Sequence, residues 1–251
     1  MSASNNVPSQ TKQWLLRKKP YGFPVLEGDE PTFVFSKSEI PKLQEGQVLL
    51  KLVYLSNDPA QRSWISPLAN PDRLYIPPVQ EGEVMRSAGI AQVVKSRDPQ
   101  IRANTLVSCA PGWAEYSVAN GADVTPISVP DGLTAPHFLG ALGLPGFTAV
   151  YALTQVVKAT KDDAIVVSGA AGAVGNITIQ LAKHWIGCRK VIGIAGTDEK
   201  CAWIEKLGAD VCINYKSPSF KAQLTKATEG FVEIYFGMIG FEMMSLLFAS
   251  V

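Results

Sequence analysis

The chain predicts an α/β fold in two parts, and three observations carry that expectation. Residues 164–183, AIVVSGAAGAVGNITIQLAK, read as a buried strand, a glycine turn and a helix. Further apolar, β-branched runs follow, separated by helical patterns. Residues 11–125 show no such alternation and consist of short strand-like runs between turns. The sequence therefore predicts an all-β domain over 1–125, then a connecting helix and a doubly wound parallel-sheet domain over 126–251.

In the first part, the strand-like runs are 47–55, 89–94, 105–109 and 114–118. Asn57-Asp58-Pro59 and Asn70-Pro71-Asp72 are turn signals between them. Residues 135–158 predict a helix-rich connection. The second part then offers strands at 164–167, 190–195, 210–214 and 232–236. Thr197 reads as the N-cap of the helix after the second of these, with Asp198 and Glu199 in its first turn. A βαβαβαβ order implies parallel strands joined by right-handed crossovers.

Composition narrows the function classes. A hydrophobic content of 47% supports a sizeable core, and a net charge of +1 gives no electrostatic footprint for nucleic acid. The cluster Arg17-Lys18-Lys19 reads as a solvated face. The most apolar long stretch, 138–153, is broken by Gly140, Gly143, Pro145 and Gly146, so no membrane span is expected. The polar N-terminus carries no signal-peptide pattern. Cys109, Cys188, Cys201 and Cys212 lack CxxC spacing, which fits reduced thiols in a cytoplasmic protein. A catalytic zinc site needs three protein ligands, and His137 and His184 are the only histidines, so no metal is expected.

The glycine turn points to a dinucleotide. Strand, turn and helix bring backbone N–H groups and a helix N-terminus up to a pyrophosphate, and a Cβ there would hold the phosphate away. The spacing Gly169-x-x-Gly172-x-x-Gly175 departs from G-x-G-x-x-G, with Ala170 at the place of the first glycine. A structural turn therefore stays open as a second reading of the glycines alone. No Gly-Lys-Ser/Thr follows, which argues against a triphosphate loop.

The end of the second strand selects the cofactor. An NAD site places Asp or Glu there to accept from the ribose 2′-OH. This chain has Gly196, so nothing repels a 2′-phosphate. Lys200 lies in the first turn of the next helix, and Tyr215 follows the third strand. Both residues could contact a 2′-phosphate, and each also has an ordinary role, as a solvated lysine and a strand-end aromatic. Taken together with the missing acid, they predict NADP(H).

Several collinear strings carry a resemblance. They are Tyr54-Leu-Ser-Asn-Asp-Pro59 with Arg62, Gly82-Glu-Val-Met85, Gly112-Trp-Ala-Glu-Tyr116, Gly143-Leu-Pro-Gly-Phe-Thr-Ala149, Ala170-Ala-Gly-Ala-Val-Gly175, Ala195-Gly-Thr-Asp-Glu-Lys200, Leu207-Gly-Ala-Asp210 and Asn214-Tyr-Lys216. Over residues 11–236 the chain resembles the zinc-independent medium-chain dehydrogenase/reductases, in the branch of the prostaglandin reductases and 2-alkenal double-bond reductases. The resemblance implies a GroES-like β domain joined to a Rossmann domain, with the active site in the cleft between them. It implies NADPH as hydride donor to a C=C bond conjugated to a carbonyl, in a small-molecule substrate. Alcohol or ketone dehydrogenation is the runner-up chemistry. A catalytically inactive nucleotide-binding or interaction module is the alternative of another class.

Residue by residue, Gly172, Ala173, Val174 and Gly175 match the family's pyrophosphate turn. Lys200 and Tyr215 match its 2′-phosphate contacts. Tyr54 falls at a substrate-side tyrosine whose hydroxyl could orient or protonate a polarised substrate. A strand tyrosine with a satisfied hydroxyl is the competing role. Where zinc alcohol dehydrogenases carry Gly-His-Glu, this chain reads Glu81-Gly-Glu83.

The resemblance also implies a longer second domain, since a full doubly wound sheet has about six strands. The expectation is a C-terminally truncated chain with an incomplete Rossmann sheet. Its fourth strand would be an apolar edge, its family-type homodimer would be doubtful, and its turnover poor. Met238 stands where the family has an asparagine, and a thioether cannot donate the same hydrogen bond.

Overall fold

The computed structural model describes residues 7–237, so Met238 and the junction around it lie outside the described residues. The chain divides into two compact units, Met1–Leu139 and Gly140–Val251.

In the first unit, β1 (Gln10–Leu16) pairs antiparallel with β2 (Phe33–Glu39), Trp14 opposite Phe35. A five-stranded antiparallel sheet is built from β3 (Gln47–Leu55), β4 (Gly89–Ser96), β5 (Leu106–Cys109), β6 (Tyr116–Asn120) and β7 (Thr125–Pro126). Its order is β6-β3-β4-β5-β7. Val48, Leu50, Ala91, Val93, Val107 and Val124 form its buried face. Alternate side chains of β3 and β4 point to this side, and Leu49 and Ile90 between them are buried as well. A second cluster gathers Leu16, Phe33, Trp64, Ile65, Val79 and Met85 around the short helix α1 (Ala60–Trp64).

β1 and β2 escape sequence reading because their alternation is masked by polar residues. Thr11 is buried, and its hydroxyl donates to the carbonyl of Tyr116 at 2.8 Å and accepts from the Tyr116 N–H at 2.9 Å. A threonine thereby takes a place that an apolar residue would mark as strand.

The first compact unit runs on past residue 125 to Leu139. β7 pairs with β5, the N–H of Ile127 donates to the carbonyl of Leu106, and the 3₁₀ turn Ala135–Leu139 packs on β4. These contacts hold 126–139 in the first unit.

In the second unit, α2 (Leu144–Tyr151) precedes β8 (Ala164–Ser168), α3 (Ala173–Gln180), β9 (Lys190–Ala195), α4 (Asp198–Lys206), β10 (Val211–Asn214), α5 (Phe220–Ala227) and β11 (Ile234–Phe236). Both α2 and α3 run on into a wider π turn, over Ala152–Val156 and Leu181–Ile186. All paired strands are parallel, in the order β10-β9-β8-β11.

Each strand of this sheet shows apolar side chains to both faces, as burial on two sides requires. Ile165, Val167, Val191 and Ala195 pack with Ile179 and Ala182 of the α3 segment and with Cys201 and Ile204 of α4. Val166, Ile192, Ile194 and Ile213 pack with Phe220, Leu224 and Ala227 of α5. α5 therefore covers the face opposite α3 and α4. The connection from β10 to β11 carries the chain across to the far side of β8, and the strand order reverses between β8 and β11. The crevice outside the carboxyl ends of two such strands is where doubly wound sheets bind ligands.

Candidate active site

The glycine turn follows β8 directly. Gly169 has φ of +64°, a conformation that costs glycine little and other residues more. The N–H of Gly172 donates to the carbonyl of Gly169 at 2.8 Å and closes the turn. A Cβ on Gly175 would run into the Gly169 carbonyl oxygen and come within 2.8 Å of the Ala170 Cα. Gly175 is thus what lets α3 start so close beneath the turn.

Gly172 caps α3 with extended backbone, and no side chain completes the cap. The N–H groups of Ala173, Val174 and Gly175 make no hydrogen bond among the described residues. The side chain of Asn176 folds back onto the carbonyls of Gly172, at 2.7 Å, and Ala173, at 3.1 Å. Donors without partners at an exposed helix start, with the positive end of the helix dipole behind them, suit an anion.

The neighbouring strand end carries the second group. Thr197 caps α4, its hydroxyl accepting from the Lys200 N–H at 3.2 Å, with Asp198 and Glu199 in the first turn. Tyr215 extends the ladder one residue past β10, its N–H donating to the carbonyl of Ala195 at 3.0 Å. That register puts the Tyr215 ring beside Gly196. A Cβ there would lie 3.0 Å from Cε1, 3.1 Å from the hydroxyl oxygen and 3.3 Å from Cζ. The missing side chain at 196 is the space the tyrosine uses.

Lys200 is exposed and forms no ion pair among the described residues. Asp198 is occupied, with its Oδ1 accepting from Nδ2 of Asn214 at 2.8 Å. The fold thus gathers Gly196, Lys200 and Tyr215 at one strand end and Gly172 to Gly175 at the next. Residues of this kind fit an adenosine ribose 2′-phosphate at the first place and a pyrophosphate at the second.

Tyr54 belongs to the first unit. It lies near the end of β3, opposite Ile90 and just past an irregularity in the β3–β4 register. It is 43% exposed, and its hydroxyl has no hydrogen-bond partner among the described residues.

Sequence reading missed Ser168 and Tyr235, the pair at the strand-order reversal. The hydroxyl of Tyr235 donates to Oγ of Ser168 at 3.1 Å. Their only sequence signal is a position at the end of an apolar run. It gains meaning once β8 and β11 are known to be neighbours.

Among the described residues no group of three or more His, Cys, Asp and Glu side chains is placed to hold a metal ion. Nδ1 of His137 is engaged with Thr134, and Nε2 of His184 lies 3.0 Å from the carbonyl oxygen of Leu207. Burial pushes the Cys109 thiol up to about 11 and raises Cys212 as well, which disfavours the thiolates a metal would need.

A β domain followed by a parallel sheet with a glycine turn after its first strand is the two-domain architecture of the medium-chain dehydrogenase/reductases. The chain belongs to the zinc-independent medium-chain dehydrogenase/reductases, in the prostaglandin reductase and enoyl reductase branch. The family model of an N-terminal domain of oxidoreductase matches residues 12–127, and that of a zinc-binding dehydrogenase matches residues 173–251. Prostaglandin reductase 1 of Mus musculus is 36% identical over 236 residues, which cover 93% of this chain and 67% of that protein. The NADPH-dependent curcumin reductase of Escherichia coli (strain K12) is 36% identical over 233 residues, 92% of this chain and 64% of that one. The crystal structure of CurA in complex with NADPH from Vibrio vulnificus superposes with a TM-score of 0.84 at 32% identity, over 96% of this chain and 68% of that one. The chain thus spans about two thirds of the length of these relatives.

Proposed function

We propose that the chain binds NADPH and serves its reduction of the activated C=C bond of an α,β-unsaturated carbonyl compound. The observation that carries this is the pairing of Gly196 with Tyr215 at a strand end with no acid to receive a ribose 2′-OH, followed in the first turn of α4 by Lys200, which forms no ion pair among the described residues. The names of the two reductases and the NADPH complex of CurA support the same cofactor and reaction class.

When bound, NADPH supplies the hydride. The residues of the chain bind and orient. Backbone N–H groups of Ala173, Val174 and Gly175 would donate to the pyrophosphate, which the Gly172 turn would let approach. The Lys200 ammonium and the Tyr215 hydroxyl would hold the 2′-phosphate. The Tyr54 hydroxyl, exposed and without a hydrogen-bond partner among the described residues, would donate to the carbonyl oxygen of a bound substrate. A cytoplasmic location fits this reading, because all four cysteines are free thiols. No helix among the described residues is long and apolar enough to cross a membrane.

Two measurements test it. A titration of the chain with NADPH and NADH should show a preference for NADPH that Lys200→Met reduces. NADPH consumption with a simple enal should depend on the Tyr54 hydroxyl, Tyr54→Phe lowering turnover without changing NADPH affinity. Equal affinity for NADH and NADPH would sink the cofactor assignment. NADPH binding without any enal reduction would favour an inactive binding module.

A further inference from the structure

A 2′-phosphate carries close to two negative charges at neutral pH, and Lys200 supplies one positive charge against it. Resting on the cofactor reading above, we propose that Lys216 is the second cation of this site and a determinant of NADPH over NADH.

The geometry brings it there. Lys216 follows Tyr215 directly, and its Nζ lies 5.9 Å from the centroid of the Tyr215 ring, the range of a cation–π contact. That ring is the one seated beside Gly196. The ammonium group therefore lies beside the ring that is seated against Gly196. Lys216 is exposed and forms no ion pair among the described residues, so its charge is not already compensated.

The turn that carries Lys216 is fixed from both ends by Asn214. The Asn214 Oδ1 accepts from the Lys216 N–H at 3.0 Å, and its carbonyl accepts from the Ser217 N–H at 3.0 Å. The amide of the same side chain donates to Asp198. One residue thus positions the Lys216 backbone and ties down the acid at the start of α4. The bond fixes the position of the Asp198 carboxylate and leaves its charge in place. Two unpaired lysines, one restrained acid and a hydroxyl at one strand end form a set suited to a phosphate monoester dianion.

The test compares 2′,5′-ADP with 5′-AMP, which differ only in the 2′-phosphate, by calorimetric titration of the full chain at low and moderate salt. Lys216→Met is expected to weaken 2′,5′-ADP about three- to ten-fold. It should leave 5′-AMP unchanged and flatten the salt dependence. Lys216→Arg should restore affinity to within about two-fold, since either cation can pair with the phosphate. Lys221→Met on α5 controls for the change in net charge and should do nothing. Unaltered discrimination in Lys216→Met, or an equal loss for both ligands, would overturn the assignment of Lys216 alone. A wild-type chain that does not distinguish the two ligands would overturn the cofactor reading, and Lys216 with it.

Discussion

The hydroxyl of Tyr235 donates a hydrogen bond to Oγ of Ser168 at 3.1 Å, joining β11 to β8 at their carboxyl ends. Ser168 is fully buried and immediately precedes the glycine turn. The bond therefore ties the strand that leads into the glycine turn to the strand on the far side of the reversal. Tyr235→Phe should lower stability by about 1 kcal/mol, the net worth of one such bond. Urea unfolding measures it, and an unchanged midpoint would show that the bond contributes nothing.

Gly175 tests the phosphate turn without touching charge. Its Cβ would meet backbone atoms of Gly169 and Ala170, which have no flexible end to move aside. Gly175→Ala should cost about 1–3 kcal/mol, the range of overpacking, and should raise the Kd for NADPH and NADH together. A selective loss of only one cofactor would be inconsistent with a pyrophosphate role.

Gly196→Asp probes cofactor choice. The new side chain must displace the Tyr215 ring, and its carboxylate would accept from a free ribose 2′-OH while repelling a 2′-phosphate. NADPH affinity is expected to fall about ten-fold or more, since like charges this close cost several kcal/mol at modest dielectric. NADH should be spared. Parallel titrations decide it.

Acid stability should report Glu233. Its carboxyl accepts from the Ala164 N–H at 2.6 Å and from the Arg189 guanidinium at 2.8 Å, and these bonds hold its pKa below the usual carboxylate range. The depressed value means that the folded form favours the ionised group. The stabilisation is therefore fully present above the unfolded value of about 4.3. It is lost as pH falls through the lower folded value. Glu233→Gln should be less stable than wild type at neutral pH, with the gap closing below about pH 4. Urea midpoints across that window measure it. A gap independent of pH would refute the linkage.

Much of the second unit was legible in sequence because its signals are local. The strand runs, the Thr197 cap and the glycine turn each depend on residues within a few positions of one another. The first unit was harder. β1 hides behind Thr11, whose hydroxyl is satisfied by Tyr116 across the fold. β7, of two residues, is too short to show a period. Residues 126–139 read as connection because the pairing of Thr125–Pro126 with β5 leaves no local mark.

By itself the sequence determined a glycine turn between strand and helix, the absence of an acid at Gly196, and the presence of Lys200 and Tyr215 near the ends of the next two strands. Tertiary structure decided that Tyr215 lies against Gly196. Apolar strands buried on both faces carry no record of their neighbours, so the order β10-β9-β8-β11 could not be read from them. That order sets Tyr235 against Ser168 across 67 residues, and β10 beside β9 sets Tyr215 against Gly196. The chemistry of the site lies in residue types, and its assembly lies in strand pairing, which depends on hydrogen bonds between distant segments.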